Sequence, residues 1–109
     1  MTMQWTTYDR LGRSELLLEA EDATCVKRTL GPCENTGSAS YSDFITSNDF
    51  YEVYVLKGSV TVITYWSDVS YEHILGVGER MKVRPGVTYS LKVEVPAEVL
   101  EFTWRDYDK

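Results

Sequence analysis

The chain has 109 residues, which is enough for one domain with a substantial hydrophobic core but not for two. Its formal net charge is -6. An acidic chain without an extended basic patch is a poor partner for nucleic acid or for an anionic membrane, so we expect neither. The N-terminal residues lack a basic start followed by an apolar run, and no stretch reaches membrane-spanning length, so we expect a cytoplasmic protein.

Short apolar runs, separated by glycine, proline and polar residues, predict an all-β protein. Residues 14–20 have helical propensity and fit either a short strand or one helical turn. Residues 23–30 predict a strand that ends at Gly31-Pro32. Residues 34–49 are rich in small polar side chains, which favours a loop or an irregular edge strand.

The two cysteines, Cys25 and Cys33, flank the Gly31-Pro32 turn signal. That turn could bring the two thiols close enough for a disulfide, but a reducing compartment favours free thiols. No nucleophile motif surrounds either cysteine, and the single histidine, His73, lies far away in the sequence.

From Phe50 onward the alternation of apolar and polar residues is regular. Strands are predicted at 50–57, 59–66, 69–75, 80–84, 88–95 and 98–104. Many short strands with turn signals between them predict a barrel or a sandwich. We therefore expect a single domain over 1–109, in which residues 1–14 form an N-terminal extension or an edge strand.

Two glycine-marked motifs stand in this half of the chain, EVYVLKGSVTV at 52–62 and LGVGERMKVRPGVTY at 75–89. Their spacing resembles the two motifs of the cupin superfamily, and the resemblance covers about residues 24–104. Gly58 stands where the first motif bends into its next strand. Gly78-Glu79 and Pro85-Gly86 match the second motif. The resemblance implies a single-domain cupin-like β-barrel of the jelly-roll type.

The same resemblance implies where a metal would be bound in a cupin that carries one. Such a cupin supplies a His-x-His pair and a glutamate from its first motif and a histidine from its second, because an open divalent site needs converging nitrogen and carboxylate ligands. Here the glutamate position aligns with Tyr51 and the last histidine position with Tyr89, while the paired histidines would fall within 40–47, which contains none. We therefore expect no metal and no cofactor.

Strand alternation predicts which side chains line a pocket, since successive residues point to opposite faces of a sheet. Met81 should face the interior while Arg84 lies with the outward basic residues. If the cupin register holds, Tyr89 lies at the cavity mouth with Leu91 beside it. The predicted ligand-binding residues are Tyr51, Val53, Met81, Arg84, Leu91 and Glu101.

Three charged or titratable residues leave alternatives open. His73 could act as an acid or base, because histidine titrates near neutrality without help, or it could be a half-exposed strand residue. Arg84 could hold a carboxylate or phosphate near the mouth, or lie on a solvated outer face. Glu101 interrupts an apolar strand and is either on the wet face or a buried carboxylate, and only a buried one would indicate a site.

These observations lead to two functional hypotheses. The first is a metal-independent cupin-like protein that binds a small polar, carbohydrate-like ligand, with isomerase or epimerase-type proton transfer by His73 and Tyr89. The metal-free isomerases of the superfamily suggest the reaction by analogy of fold alone. The second is a non-catalytic binding or assembly module. An edge offered by residues 15–30 would need a partner or a cover, so we expect a homodimer.

Overall fold

The computed structural model describes residues 6–9, 12–31 and 40–105. These residues form strands and no helix, which confirms the all-β class. The strands are β1 (Thr6–Asp9), β2 (Gly12–Glu19), β3 (Ala23–Leu30), β4 (Ser40–Tyr41), β5 (Ile45–Thr46), β6 (Phe50–Lys57), β7 (Val60–Trp66), β8 (Val69–Leu75), β9 (Arg80–Val83), β10 (Thr88–Val93) and β11 (Ala97–Trp104). Nowhere in these ranges is there a helix with the length and apolar character needed to cross a membrane.

The strands form two antiparallel sheets. One sheet has six strands in the order β1, β2, β3, β11, β6, β9. The other has the order β4, β10, β7, β8, and β5 also pairs with β10. Strand β1 lies at one edge of the six-stranded sheet. Residues 12–14, the last three of the predicted N-terminal segment, are the first residues of β2.

The core lies between the two sheets and follows from the period-two pattern of the strands. Strand β6 alternates buried Val53 and Val55 with more exposed neighbours, and β10 contributes the fully buried Leu91 and Val93. Val99 of β11 joins the same cluster. Branched aliphatic side chains fill a pleated, half-buried surface well, so both sheets bury the faces that the alternation predicts.

Strand pairing determines the conformation of residues 14–20, for which the sequence allowed either a strand or a helical turn. Residues 12–19 form strand β2, and Leu16 lies opposite Val26 of β3 with only 2% of its surface exposed. The register shifts between Leu16 and Leu18, which leaves Leu18 exposed. Burial of Leu16 against a neighbouring strand therefore overrides the helical propensity of the segment.

Two motif glycines have backbone reasons for their positions. Gly58 has a φ of 73°, and an added Cβ would lie 2.3 Å from the carbonyl oxygen of Pro96. Gly78 has a φ of 85°, and its N–H donates to the carbonyl of Val55 over 2.9 Å. Only glycine adopts these conformations without strain, so the first motif closes tightly against the β10–β11 turn and the second ties the β8–β9 corner to β6.

Candidate functional site

The candidate site is a cluster of polar side chains on the inner face of the six-stranded sheet. Tyr51 lies on the same face of β6 as buried Val53, and Glu101 lies on the same face of β11 as buried Val99. Arg28 of β3 pairs with Val99 across the sheet and therefore shares this face. Three central, neighbouring strands thus direct a phenol, a carboxylate and a guanidinium toward the interior.

These three side chains contact one another directly. The hydroxyl of Tyr51 donates a hydrogen bond to Oε2 of Glu101. Nε of Arg28 lies 3.5 Å from Oε1 of the same carboxylate, and the two side chains are only 9% and 12% exposed. A nearly buried carboxylate is tolerated when it is paired and hydrogen-bonded, so Glu101 holds both neighbours in place.

Tyr89 completes the cluster from the opposite sheet. Its ring stacks on that of Tyr51 with centroids 4.5 Å apart and an interplanar angle of 21°. Both residues are buried, at 5% and 3% exposure, so Tyr89 lies deeper than the cavity mouth where the sequence predicted it. We call Arg28, Tyr51, Tyr89 and Glu101 the inner cluster. It joins the two sheets through an aromatic stack.

Burial changes the acidity of both phenols in the inner cluster. Loss of solvation is the main cause that raises the pKa of Tyr51 well above its ordinary value, and the charge of Glu101 raises it further. Loss of solvation, followed by the charge of Glu101, also raises the pKa of Tyr89, whereas the positive charge of Arg28 lowers it. Both phenols therefore keep their protons at neutral pH and act as hydrogen-bond donors.

The two phenols of the inner cluster differ in how their hydroxyls are engaged. The Tyr51 hydroxyl is already engaged by Glu101. Tyr89 stacks on Tyr51, and none of the side-chain hydrogen bonds found among the described residues involves its hydroxyl. A nearly buried phenol with a free donor favours an oxygen acceptor at that position.

A second polar pair extends from Tyr89 along the five-stranded sheet. Thr64 of β7 lies directly opposite Tyr89, and its Oγ1 is 3.3 Å from Nε2 of His73 on β8. His73 shares the face of buried Leu75 and pairs with Val62 of the core, so it lies on the inner side. It is partly buried and sits near the sheet edge, separated from Tyr89 by a threonine.

The inner cluster lies beside a small polar cavity at one end of the strands. Thr103 pairs with Tyr51 across the sheet, and its hydroxyl is hydrogen-bonded to that of Thr24. Together with Asp22, Asp49 and Arg105 these threonines line a cavity of about 170 Å³. Drug-sized ligands occupy pockets of about 300–1,000 Å³. The cavity beside the cluster is smaller than these pockets, and its described lining includes none of the four cluster residues.

The residues present do not fit the metal that the resemblance implies for other cupins. Among the described residues, no three histidine, cysteine, aspartate or glutamate side chains come together as ligands. The two ligand positions that fall on Tyr51 and Tyr89 carry phenols that retain their protons, and Arg28 brings a positive charge beside them. Divalent metals require lone pairs from deprotonated or neutral ligands, so this donor set suits a hydrogen-bonded organic ligand instead.

The other predicted site residues do not come together at one place in the structure. Val53 and Leu91 lie in the core beneath the cluster, fully buried, and Met81 packs against that core while partly exposed. Arg84 is exposed and follows the last residue of β9, outside the inner cluster. Val53, Leu91 and Met81 therefore shape the floor of the site, and Arg84 lies on the solvated face that was its alternative placement.

Arg28 is the member of the inner cluster that sequence reasoning missed. A signal was present, because Arg28 alternates with Val26 and Leu30 on one face of a strand that is apolar on that face. A cation among inward apolar residues needs a carboxylate, and Glu101 interrupts an equally apolar strand. The choice between a disulfide and the favoured free thiols is not tested, since Cys33 lies outside the described residues. Burial raises the pKa of the Cys25 thiol.

Comparison with known proteins identifies the fold. No family model matches the chain, and no curated protein matches it in sequence. Among solved structures, a tryptophan-to-tyrosine variant of oxalate decarboxylase from Bacillus subtilis superposes with a TM-score of 0.77 at 17% identity, covering 94% of this chain and 27% of that one. A structure solved for work on the Mn(II) centres of the same protein gives 0.77 at 16% identity, with 95% and 28% covered.

A third structure of the Bacillus subtilis protein, at pH 4.6, gives a TM-score of 0.76 at 17% identity. The match covers 94% of this chain and 27% of that one. The chain thus spans about a quarter of the length of the oxalate decarboxylase chains that it matches. Oxalate decarboxylase has the cupin fold. The chain described here has the cupin fold, and the fold implied by the resemblance of its two glycine motifs is confirmed.

Proposed function

We propose that this cupin-fold chain binds a small, oxygen-rich organic ligand at the inner cluster without a metal. The observation that carries the proposal is the pair of stacked phenols, Tyr51 and Tyr89, at two of the positions where metal-binding cupins place ligands. Both phenols are protonated donors at neutral pH, and the Arg28 guanidinium adds charge-assisted donors beside Glu101. Sugar hydroxyls and short carboxylates are the acceptors that such donors recognise.

Titration of isotope-labelled full-length protein tests this proposal. The probes are D-xylose, a neutral carbohydrate, and oxalate, the substrate in the name of the structural neighbours, both added after dialysis against chelator. We expect one probe to shift the amide resonances of Tyr51 and Tyr89 in a saturable manner. Tyr89→Phe should weaken that binding by about tenfold, the equivalent of one lost hydrogen bond.

Arg84→Ala is the matched control, since Arg84 belongs to the exposed face and should leave the titration unchanged. Binding that appears only after Mn²⁺ is restored would contradict metal independence. No saturable shift at either tyrosine with either probe would contradict the ligand site itself.

Proton transfer is the catalytic extension of this proposal. His73 is the inner side chain suited to take a proton, and Tyr89 is suited to donate a hydrogen bond to the oxyanion that forms. The raised pKa of Tyr89 favours that role over the role of proton source. Incubation of an aldose panel in D₂O should introduce deuterium at C2, and His73→Asn should abolish the exchange. Exchange that persists in His73→Asn would remove His73 from the mechanism.

A non-catalytic assembly module is the second candidate. The open edge predicted at residues 15–30 is largely covered, because β3 lies between β2 and β11 inside the six-stranded sheet. An edge that remains is β8 of the other sheet, where Ile74 is 74% and Val69 51% exposed. A sheet edge of this kind is open to pairing with a second copy. Sedimentation equilibrium should show a dimer that Ile74→Lys weakens, and a monomer at all concentrations would reject the homodimer.

A further inference from the structure

A second concave surface lies outside the inner cluster, at the end of the five-stranded sheet. It is an open groove of about 560 Å³, within the range of small-molecule sites. The groove lies where β7 ends and β10 begins. We call it the outer groove, and its described lining residues are Phe44, Tyr65, Trp66, Ser67, Gly86 and Thr88.

Aromatic rings dominate the outer groove and remain in contact with solvent. Phe44 is 70% and Trp66 63% exposed. Phe44 packs edge-to-face against Tyr65, with ring centroids 4.9 Å apart and an interplanar angle of 89°. An edge-to-face contact orients the Phe44 ring while most of its surface stays open, so the groove presents fixed aromatic surface to a ligand.

Hydroxyl groups border this aromatic surface. The hydroxyl of Thr88 is hydrogen-bonded to that of Thr46 over 2.6 Å, and that of Tyr65 lies 3.2 Å from Oγ of Ser90. Ser67 has a φ of 57°, a left-handed conformation that non-glycine residues rarely adopt. The two-residue turn between β7 and β8 requires a positive φ at its first residue, so this conformation belongs to the hairpin and places Ser67 at the border of the groove.

The described lining of the outer groove is uncharged, although 26% of the residues in the chain are charged. None of its six described lining residues carries a charge. An ionic ligand would find no counter-charge among these residues, whereas a neutral ligand needs none. Aromatic rings bordered by hydroxyls match a pyranose, whose C–H face is apolar and whose rim carries hydroxyl groups.

We propose that the outer groove is a binding site for a neutral carbohydrate, stacked on Trp66 or Phe44 and hydrogen-bonded by the hydroxyls of Ser67 and Thr88. This site does not depend on the inner cluster. It uses exposed rings and uncharged hydroxyls, whereas the inner cluster uses buried phenols and an ion pair. A chain with both sites would hold a saccharide on its surface independently of any ligand inside.

The test is a titration of isotope-labelled full-length protein with two neutral disaccharides, cellobiose and maltose, at millimolar concentrations. We expect at least one of them to shift the indole N–H of Trp66 in a saturable manner. Trp66→Ala and Phe44→Ala should each weaken binding by about tenfold, as loss of one stacking ring implies. Leu18→Ala is the matched control, because Leu18 is an apolar residue outside the groove that is 62% exposed, nearly the same as Trp66.

Two results would overturn the proposal. The first is a titration in which neither disaccharide moves the Trp66 indole. The second is binding that Tyr89→Phe abolishes and Trp66→Ala leaves intact, because the saccharide would then occupy the inner cluster. That second result would support the proposed interior site while rejecting the outer one, so the two proposals fail separately. Melting curves of both groove variants should match the parent, which excludes unfolding as the cause of lost binding.

Discussion

The inner cluster and the outer groove are built from similar side chains with opposite exposure. Tyr51 in the cluster is 3% exposed, while Phe44 in the groove is 70% exposed. Burial makes Tyr51 a weaker acid than an exposed tyrosine, and it requires Arg28 and Glu101 to pair. Exposure leaves the outer rings as a stacking surface without charge. Mutations in the cluster, and changes in pH, should therefore alter mainly the stability of the protein. Mutations in the groove should alter ligand binding without changing stability.

The largest expected effect is the loss of stability in alkali. Above the ordinary tyrosine pKa near 10 the unfolded chain releases phenol protons that folded Tyr51 and Tyr89 retain, so the native state binds more protons. Stability is then complete below about pH 10 and falls by about 1.4 kcal/mol per pH unit for each phenol as the pH rises further. Denaturant unfolding at a series of pH values measures the slope. An equal slope in the Tyr51→Phe/Tyr89→Phe double variant would contradict this origin.

Breaking the buried ion pair comes next. Glu101→Gln preserves shape but leaves the nearly buried Arg28 beside a neutral amide, and we expect a loss of about 3 kcal/mol in the free energy of unfolding. Glu98→Gln is the control on the same strand. Glu98 pairs with Lys27 and Lys57 over 3.2 and 3.1 Å on the solvated side, and its loss should change stability little. Similar effects of the two variants would mean that burial of the pair is unimportant.

The two stacked tyrosines should then differ from each other. Tyr51→Phe removes a hydrogen bond to a carboxylate and should lower the free energy of unfolding by about 2 kcal/mol. Tyr89→Phe removes a hydroxyl that is not engaged within the described residues, so the loss should be clearly smaller. Urea denaturation of both variants at neutral pH measures the difference. A larger loss from Tyr89→Phe would show that its hydroxyl is structural and not available to a ligand.

The smallest effect is expected in the outer groove. Trp66 is 63% exposed at the end of β7, so Trp66→Ala should change the free energy of unfolding by no more than about 0.5 kcal/mol. Thermal melting checks this value. A markedly larger loss would show that Trp66 supports the turn after β7, and the contrast between a structural cluster and a binding groove would then weaken.

Local patterns in the sequence were sufficient for most of the fold. The predicted strands at 50–57 and 69–75 match β6 and β8 at both ends, because the period-two alternation and the flanking turn residues mark them clearly. Strand β2 was not decided by its sequence, since the same residues suit a helical turn. For residues 34–49 the sequence allowed a loop or an irregular edge strand, and the described part contains the two-residue strands β4 and β5, each formed only through pairing with β10.

The candidate site was predictable only in part. The motif spacing placed Tyr51 and Tyr89 at equivalent ligand positions, and the structure stacks their rings. Arg28 could not be assigned in the same way, because no motif links β3 to β11 and only strand order makes Arg28 and Glu101 neighbours. The outer groove was also missed. Phe44, Tyr65 and Thr88 come from three separate segments.

The sequence by itself determined the all-β class, the glycine-marked motifs and the inward faces of the main strands, since backbone conformation and alternation are local properties. Only the tertiary structure decided that a carboxylate, a guanidinium and two phenols meet between the sheets, and that three aromatic residues form a groove outside them. Contacts between distant residues depend on strand order and register. Burial then sets which of those residues keep a proton, pair a charge or remain open to solvent.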